Sequence, residues 1–129
     1  METMRLEIVT PQGILFDDDV KMVTVPGKEG EFGVLPRHAS LITLLKAGVI
    51  EIEKKDGSKG LIAINWGDIK IEENSVTILV DGAVAIEGTD GELRKKIEEA
   101  NKLIESIGDS DMAIAAAKSK LETAAKGIM

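Results

Sequence analysis

The spacing of apolar residues changes once along this chain, near Thr89, and that change limits the fold more than any other feature. Before it, apolar and polar residues alternate. Met4, Leu6 and Ile8 are interleaved with Arg5 and Glu7, Ile50 and Ile52 with Glu51, and Ile69 and Ile71 with Lys70. A period of two puts one set on one face of a strand. Residues 61–64 and 76–80 are more continuously apolar instead, and their β-branched members favour strands too. Asp56-Gly57, Glu73-Asn74 and Asp81-Gly82 supply turn chemistry between the runs. The pattern predicts a sandwich of about ten short strands over residues 1–88.

After Thr89 the period lengthens. Thr89-Asp90-Gly91-Glu92 has the form of a capping box, in which the Thr hydroxyl and the Glu carboxylate satisfy each other's end of the backbone. Leu93, Ile97, Ala100, Ile104 and Ile107 then recur at helical spacing, so one helix face is apolar. Gly108 suits the left-handed residue that ends a helix, and Asp109 or Ser110 can cap the next. Ile114, Ala117, Leu121, Ala124 and Ile128 mark a second apolar stripe. So short a connection makes the helices antiparallel neighbours. The expected fold is therefore mainly β plus α: a ten-stranded β-sandwich over 1–88 followed by a C-terminal antiparallel two-helix hairpin over 89–129.

That hairpin is marginal by itself. Each large apolar side chain contributes roughly 1.5–3 kcal/mol when fully buried. Ordering the backbone costs roughly 1–2 kcal/mol per residue. The hairpin needs either the β-domain or a partner surface, and it can exchange between the two.

Composition excludes several functions. The chain has no cysteine, so disulfides and thiolate metal sites are ruled out. A net charge of −7, with no Lys/Arg cluster, argues against nucleic acid. No apolar run approaches the roughly 18 residues of a membrane span. The N-terminal residues lack the pattern of a signal peptide, and a cytoplasmic location is expected. Phe16, Phe32 and Trp66 are the aromatic residues, so the core is built from Val, Ile, Leu and Ala. Trp66 is expected in the core or covering a sheet.

Three local features look chemical and read better as structure. Pro26-Gly27-Lys28-Glu29-Gly30-Glu31 is not a phosphate loop, because Gly-Lys is followed by Glu29 rather than Ser or Thr and no helix follows. Asp17-Asp18-Asp19 is expected as a solvated turn, since calcium ligands are spaced at alternate positions. His38 is the one histidine, with neither metal partners nor a nucleophile and orienter, so an interface role is expected and a catalytic one is not. No catalytic, metal or cofactor residue is predicted.

Residues 10–50 carry a resemblance. Thr10-Pro11, Leu15-Phe16, Pro26-Gly27, Gly30-Glu31-Phe32-Gly33-Val34-Leu35-Pro36, His38-Ala39, Leu41, Thr43, Leu45 and Gly48 stand in an order similar to the N-terminal half of the epsilon subunit of the rotary ATP synthase. Ser40 departs from the Pro that most members carry after His-Ala. The resemblance implies a non-catalytic subunit of the central stalk, which couples proton translocation to ATP synthesis. It implies contacts of Glu29, Gly30 and Glu31 with the c-subunit ring and of His38 with the gamma subunit. It also implies that the C-terminal helices restrain ATP hydrolysis by reaching the beta subunit, with Lys118, Lys120 and Lys126 as the contacting cations. The location implied is the cytoplasmic face of a bacterial inner membrane, peripheral and held through the complex. Some family members bind ATP through Ile-Asp-x-x-Arg-Ala. The matching Asp90 and Arg94 stand four apart rather than three, and Lys95 replaces Ala. They are the weak ATP-site candidates, and no cofactor is expected. The alternative class is a stand-alone β-sandwich interaction module with a helical dimerisation hairpin.

Overall fold

A computed structural model describes residues 2–86 and 90–105, with the backbone alone for 90–94 and 104–105. Among them the chain forms nine strands and one helix: β1 (Met4–Thr10), β2 (Gly13–Gly27), β3 (Gly30–Val34), β4 (Leu41–Leu45), β5 (Gly48–Lys54), β6 (Lys59–Ile64), β7 (Gly67–Ile71), β8 (Ser75–Val80), β9 (Ala83–Ala85) and α1 (Asp90–Glu105). The ten expected strands are corrected to nine among the described residues. The physical reason is β2, a single strand of 15 residues that serves both layers of the sandwich. Its first half pairs with β1 and its second half with β3 and β5. The register against β5 shifts between Val20 and Met22, and a bulge of this kind bends a strand.

The first layer runs through the first half of β2, then β1, β8, β7 and β4, with β1 and β8 parallel. The second runs through β3, the second half of β2, β5, β6 and β9. Alternation sends Leu6, Ile8, Ile69, Ile71, Ile78 and their neighbours between the layers, where they are fully buried. The expected period-two strands are all present. The Asp56-Gly57 turn is also as expected: Gly57 has φ 88°, and the Asp56 carboxylate accepts from Ser58 N–H at 2.8 Å and Ser58 Oγ–H at 2.6 Å.

Two expectations fail. Asp17, Asp18 and Asp19 do not form a turn but lie inside β2, paired with Glu7, Leu6 and Arg5. The chain reverses earlier, where the Thr10 hydroxyl accepts from Gln12 N–H at 3.2 Å. Cation pairing lets the acidic run stay extended: Arg5 meets Asp17 at 2.6 Å and Asp19 at 3.8 Å, and Lys55 meets Asp18 at 3.6 Å. Trp66 is not core but 53% exposed in the β6–β7 turn.

Helix α1 lies on the outer face of the second layer. Ala100 is fully buried and Ile97 partly so, over Ala47, Val49, Leu61, Ala63 and Ile86. This cover is why residues 61–64 are buried without alternation. The Thr89 cap, Gly108 and the second helix lie outside the described residues.

Candidate functional site

The turn Gly27–Lys28–Glu29–Gly30 joins β2 to β3 at one end of the sandwich. Gly30 has φ 138°, a conformation that L side chains avoid. Gly27 must also lack a side chain, because a Cβ there would stand 2.6 Å from the Phe32 ring and 2.7 Å from the Gly30 carbonyl oxygen. Lys28 N–H donates to the Leu44 carbonyl and Lys46 N–H to the Pro26 carbonyl, both at 2.9 Å. The turn that carries Glu29 is thus locked to both layers where they meet, at the Gly27–Leu45 pairing. Glu29 and Glu31 are exposed and Gly30 is partly exposed.

His38 lies at the opposite end, in the crossing from β3 to β4. Arg37 beside it has φ 68°, which is strained for a residue with a Cβ. The strain is held by Arg37 N–H donating to the Glu73 carbonyl at 2.8 Å and by a guanidinium–Glu2 pair at 2.5 Å. His38 Nδ1 lies 2.7 Å from the Ala39 carbonyl oxygen. A carbonyl can only accept, so Nδ1 carries the hydrogen and the ring orientation is fixed. That is the only His38 hydrogen bond among the described residues. The two expected contact sites are therefore about one strand length apart, not one cluster.

Asp90 and Arg94 both fall in the first turns of α1, and their side chains are outside the description. Lys118, Lys120 and Lys126 lie beyond the described residues. No group of three or more His, Cys, Asp or Glu able to hold a metal ion occurs among the described residues. No helix there is long and apolar enough to cross a membrane.

A surface that sequence reasoning missed is the outer face of the first layer. Strand register aligns Leu44 with Asp68, Asp68 with Leu79, Leu79 with Val9 and Val9 with Ile14. Four of these five side chains are apolar, and Leu79 is 50% and Ile14 62% exposed. In the next row, Ile42 (72% exposed) pairs with Lys70, and Lys70 with Thr77. Further along, Arg5 opposes Asp19, so the face grades from apolar to ion-paired. Leu79, Val9 and Ile14 are contiguous, and Asp68 and Lys70 separate them from Leu44 and Ile42; exposed apolar groups rimmed by polar ones are characteristic of interaction surfaces. The available signal was the mostly apolar runs 41–45 and 76–80, whose outward Ile42, Leu44 and Leu79 alternation alone should have made polar.

Asp18 and Asp56 are held below their ordinary pKa. For Asp18 the main cause is the Asp19 backbone N–H, with Lys55 adding to it; for Asp56 it is the Ser58 hydroxyl and backbone N–H.

A β-sandwich with a docked helix and one partly apolar bare face defines a docking module. The comparisons identify its family. A family model described as ATP synthase, Delta/Epsilon chain, beta-sandwich domain matches residues 3–93. The ATP synthase epsilon chain of a Nitratiruptor species is 59% identical over 127 residues, covering 98% of each chain. That of a Sulfurovum species is 58% identical over 126 residues, again 98% of each. Among solved structures, a chain of the Euglena gracilis mitochondrial ATP synthase (OSCP/F1/c-ring, rotational state 1) superposes with TM-score 0.63 at 27% identity, over 93% of this chain and 73% of that one. A chain of the Tetrahymena thermophila mitochondrial ATP synthase central stalk and c ring shares the fold, with TM-score 0.56 at 16% identity over 81% of this chain and 96% of that one. The chain belongs to the ATP synthase epsilon-chain family, whose members are non-catalytic subunits of that complex.

Proposed function

We propose that the chain is a rotor component of the central stalk, coupling proton translocation to ATP synthesis and restraining ATP hydrolysis through its C-terminal residues. The observation that carries the docking role is the bare face of the first layer, with Ile42, Leu44, Leu79 and Ile14 outward. Its apolar groups suit the gamma subunit, and His38 extends the same contact at the far end of β4. The locked Glu29–Gly30–Glu31 turn suits the c-subunit ring. Torque transfer needs a stiff connection, and a turn tied to both layers by Lys28 N–H and Lys46 N–H supplies one. Lys118, Lys120 and Lys126 are the proposed contacts to the beta subunit, acting together because single exposed ion pairs are weak. The location is the cytoplasmic face of a bacterial inner membrane, peripheral through the complex. ATP binding at Asp90 and Arg94 is not part of this reading.

Removing residues 89–129 within the assembled complex tests the restraint. ATP hydrolysis is expected to rise, with proton coupling largely intact. Unchanged hydrolysis would sink the restraining role, and lost coupling would assign those residues to torque transfer instead. A homodimer that forms with rising concentration in place of co-purification with gamma would favour the stand-alone module.

A further inference from the structure

The sequence carries three Asp-Gly steps, at 56–57, 81–82 and 90–91. Such a step is a chemical hazard, because glycine has no side chain to obstruct attack by its own nitrogen on the preceding carboxyl. The nitrogen loses its proton and bonds to the aspartate Cγ while water leaves, which closes a succinimide ring. Water then opens the ring at either carbonyl. One opening returns aspartate, and the other gives isoaspartate, whose main chain is a methylene longer. The reaction needs nothing but the chain and water.

At 81–82 the fold cannot dispense with the glycine. A Cβ on Gly82 would stand 3.0 Å from Asn65 Nδ2 and 3.0 Å from Leu103 Cδ1. Asp81 is exposed, so water reaches its carboxyl. Both reacting groups are nevertheless held by one side chain, that of Asn65, which is only 8% exposed. Its Oδ1 accepts from Gly82 N–H at 2.8 Å, and its Nδ2 donates to Asp81 Oδ2 at 3.2 Å. The same Oδ1 accepts from Trp66 N–H at 2.8 Å, which fixes the orientation of the amide. The backbone around it is tied as well. Asn65 N–H donates to the Gly82 carbonyl at 3.2 Å and Asp81 N–H to the Trp66 carbonyl at 3.3 Å.

This arrangement opposes ring closure at both ends. The Asn65 Oδ1 can only accept. A Gly82 nitrogen that has lost its proton forfeits that bond and faces an oxygen that repels it. The Nδ2 contact keeps the Asp81 carboxyl from turning onto the Gly82 nitrogen.

We propose that Asp81–Gly82 is the latent isoaspartate site of this chain and that Asn65 is its guard, holding nucleophile and carboxyl apart through one amide. Asp56–Gly57 is guarded by its own turn instead. Gly57 N–H donates to the Lys54 carbonyl at 2.9 Å, and the Asp56 carboxylate is drawn forward onto Ser58. One guard is local, and the other is a side chain brought in from a different turn. Isoaspartate at 81 would shift Gly82 and the start of β9, where Ala83 pairs with Ile64.

Ageing the full chain at neutral pH, with peptide mapping that separates isoaspartate from aspartate, tests the proposal. Isoaspartate at 81 should form about tenfold more slowly in the folded protein than in denaturant, the worth of the hydrogen bonding that must be lost. Equal rates would overturn the guard. Asn65→Ala should raise the folded rate at 81 about tenfold and leave the rate at 56 unchanged. An unchanged rate at 81 would remove Asn65 from the role. A matching rise at 56 would mean that the variant has lost its fold. Hydrogen exchange of the Gly82 amide in the unaltered protein then decides. Protection of about tenfold or more sustains the guard, and exchange at the unfolded rate overturns it.

Discussion

The two outer faces of the sandwich come from similar sequence and meet different fates. Residues 61–64 of β6 are an unbroken apolar run, and 76–80 of β8 are one apart from Thr77. In β6 all four residues are buried, because α1 covers the side that does not face the core. In β8 the pattern alternates, and Leu79 is left half exposed. The same is true of β4, on the far side of β7, where Ile42 and Leu44 point outward. A largely apolar strand therefore means two buried faces in one case, and one buried face with one partly apolar bare face in the other. The chain's own helix supplies the second cover for β6, and the bare face is the one suited to a partner subunit.

The sharpest way to break this comparison is to put a charge on each face. Ala63→Asp would bury an unpaired carboxylate beneath α1, at a cost of several kcal/mol, and should unfold the helix seat or the domain. Leu79→Asp should change stability by no more than about 0.5 kcal/mol. It should nevertheless weaken the proposed binding to the gamma subunit by about tenfold to a hundredfold, the worth of one lost apolar contact. Denaturant unfolding and co-purification read the two effects. Equal destabilisation by both substitutions would mean that the β8 face is covered after all.

A smaller effect concerns the end where the layers join. Gly27→Ala would force a Cβ against the Phe32 ring and the Gly30 carbonyl, costing about 1–3 kcal/mol of stability, read from the unfolding midpoint. The loss should fall on both layers together, because the Gly27–Leu45 pairing bridges them. A midpoint matching the unaltered protein would show that the turn yields, and would remove the argument that it is stiff.

Acid should produce the smallest effect. Asp18 and Asp56 are held below their ordinary value of 3.8, so their stabilisation is present above it and is lost as pH falls through the lowered folded-state values. Both are exposed, so solvent screens the effect and only a small drop in melting temperature is expected. Asp18 belongs to β2 and Asp56 to the β5–β6 hairpin, so neither outer face should be favoured. Asp18→Asn with Asp56→Asn should flatten that drop, and an unaltered acid slope would assign it to other carboxylates.

Much of the fold was legible. Met4-Leu6-Ile8 and Ile69-Ile71 alternate because one side of each strand is core, and that rule is local. Asp56-Gly57 encodes its turn through one carboxylate and one positive φ, which is also local. The helix starting at Asp90 follows the change of period. Asp17-Asp18-Asp19 misled because their cations, Arg5 and Lys55, are far away in sequence and become neighbours only by strand pairing. Trp66 misled because bulk suggests burial, whereas Asn65 fixes the turn that points it outward.

By itself, then, the sequence determined the change from strand to helix near Thr89, the Asp56-Gly57 turn and the order of residues 10–50 that marks the family. Tertiary structure decided that Glu29 and His38 lie at opposite ends, that β2 serves both layers, and which apolar run stays bare. The physical reason is that periodicity reports whether a side chain prefers to leave water, not what will cover it. The covering element comes from elsewhere in the chain, as α1 does for β6.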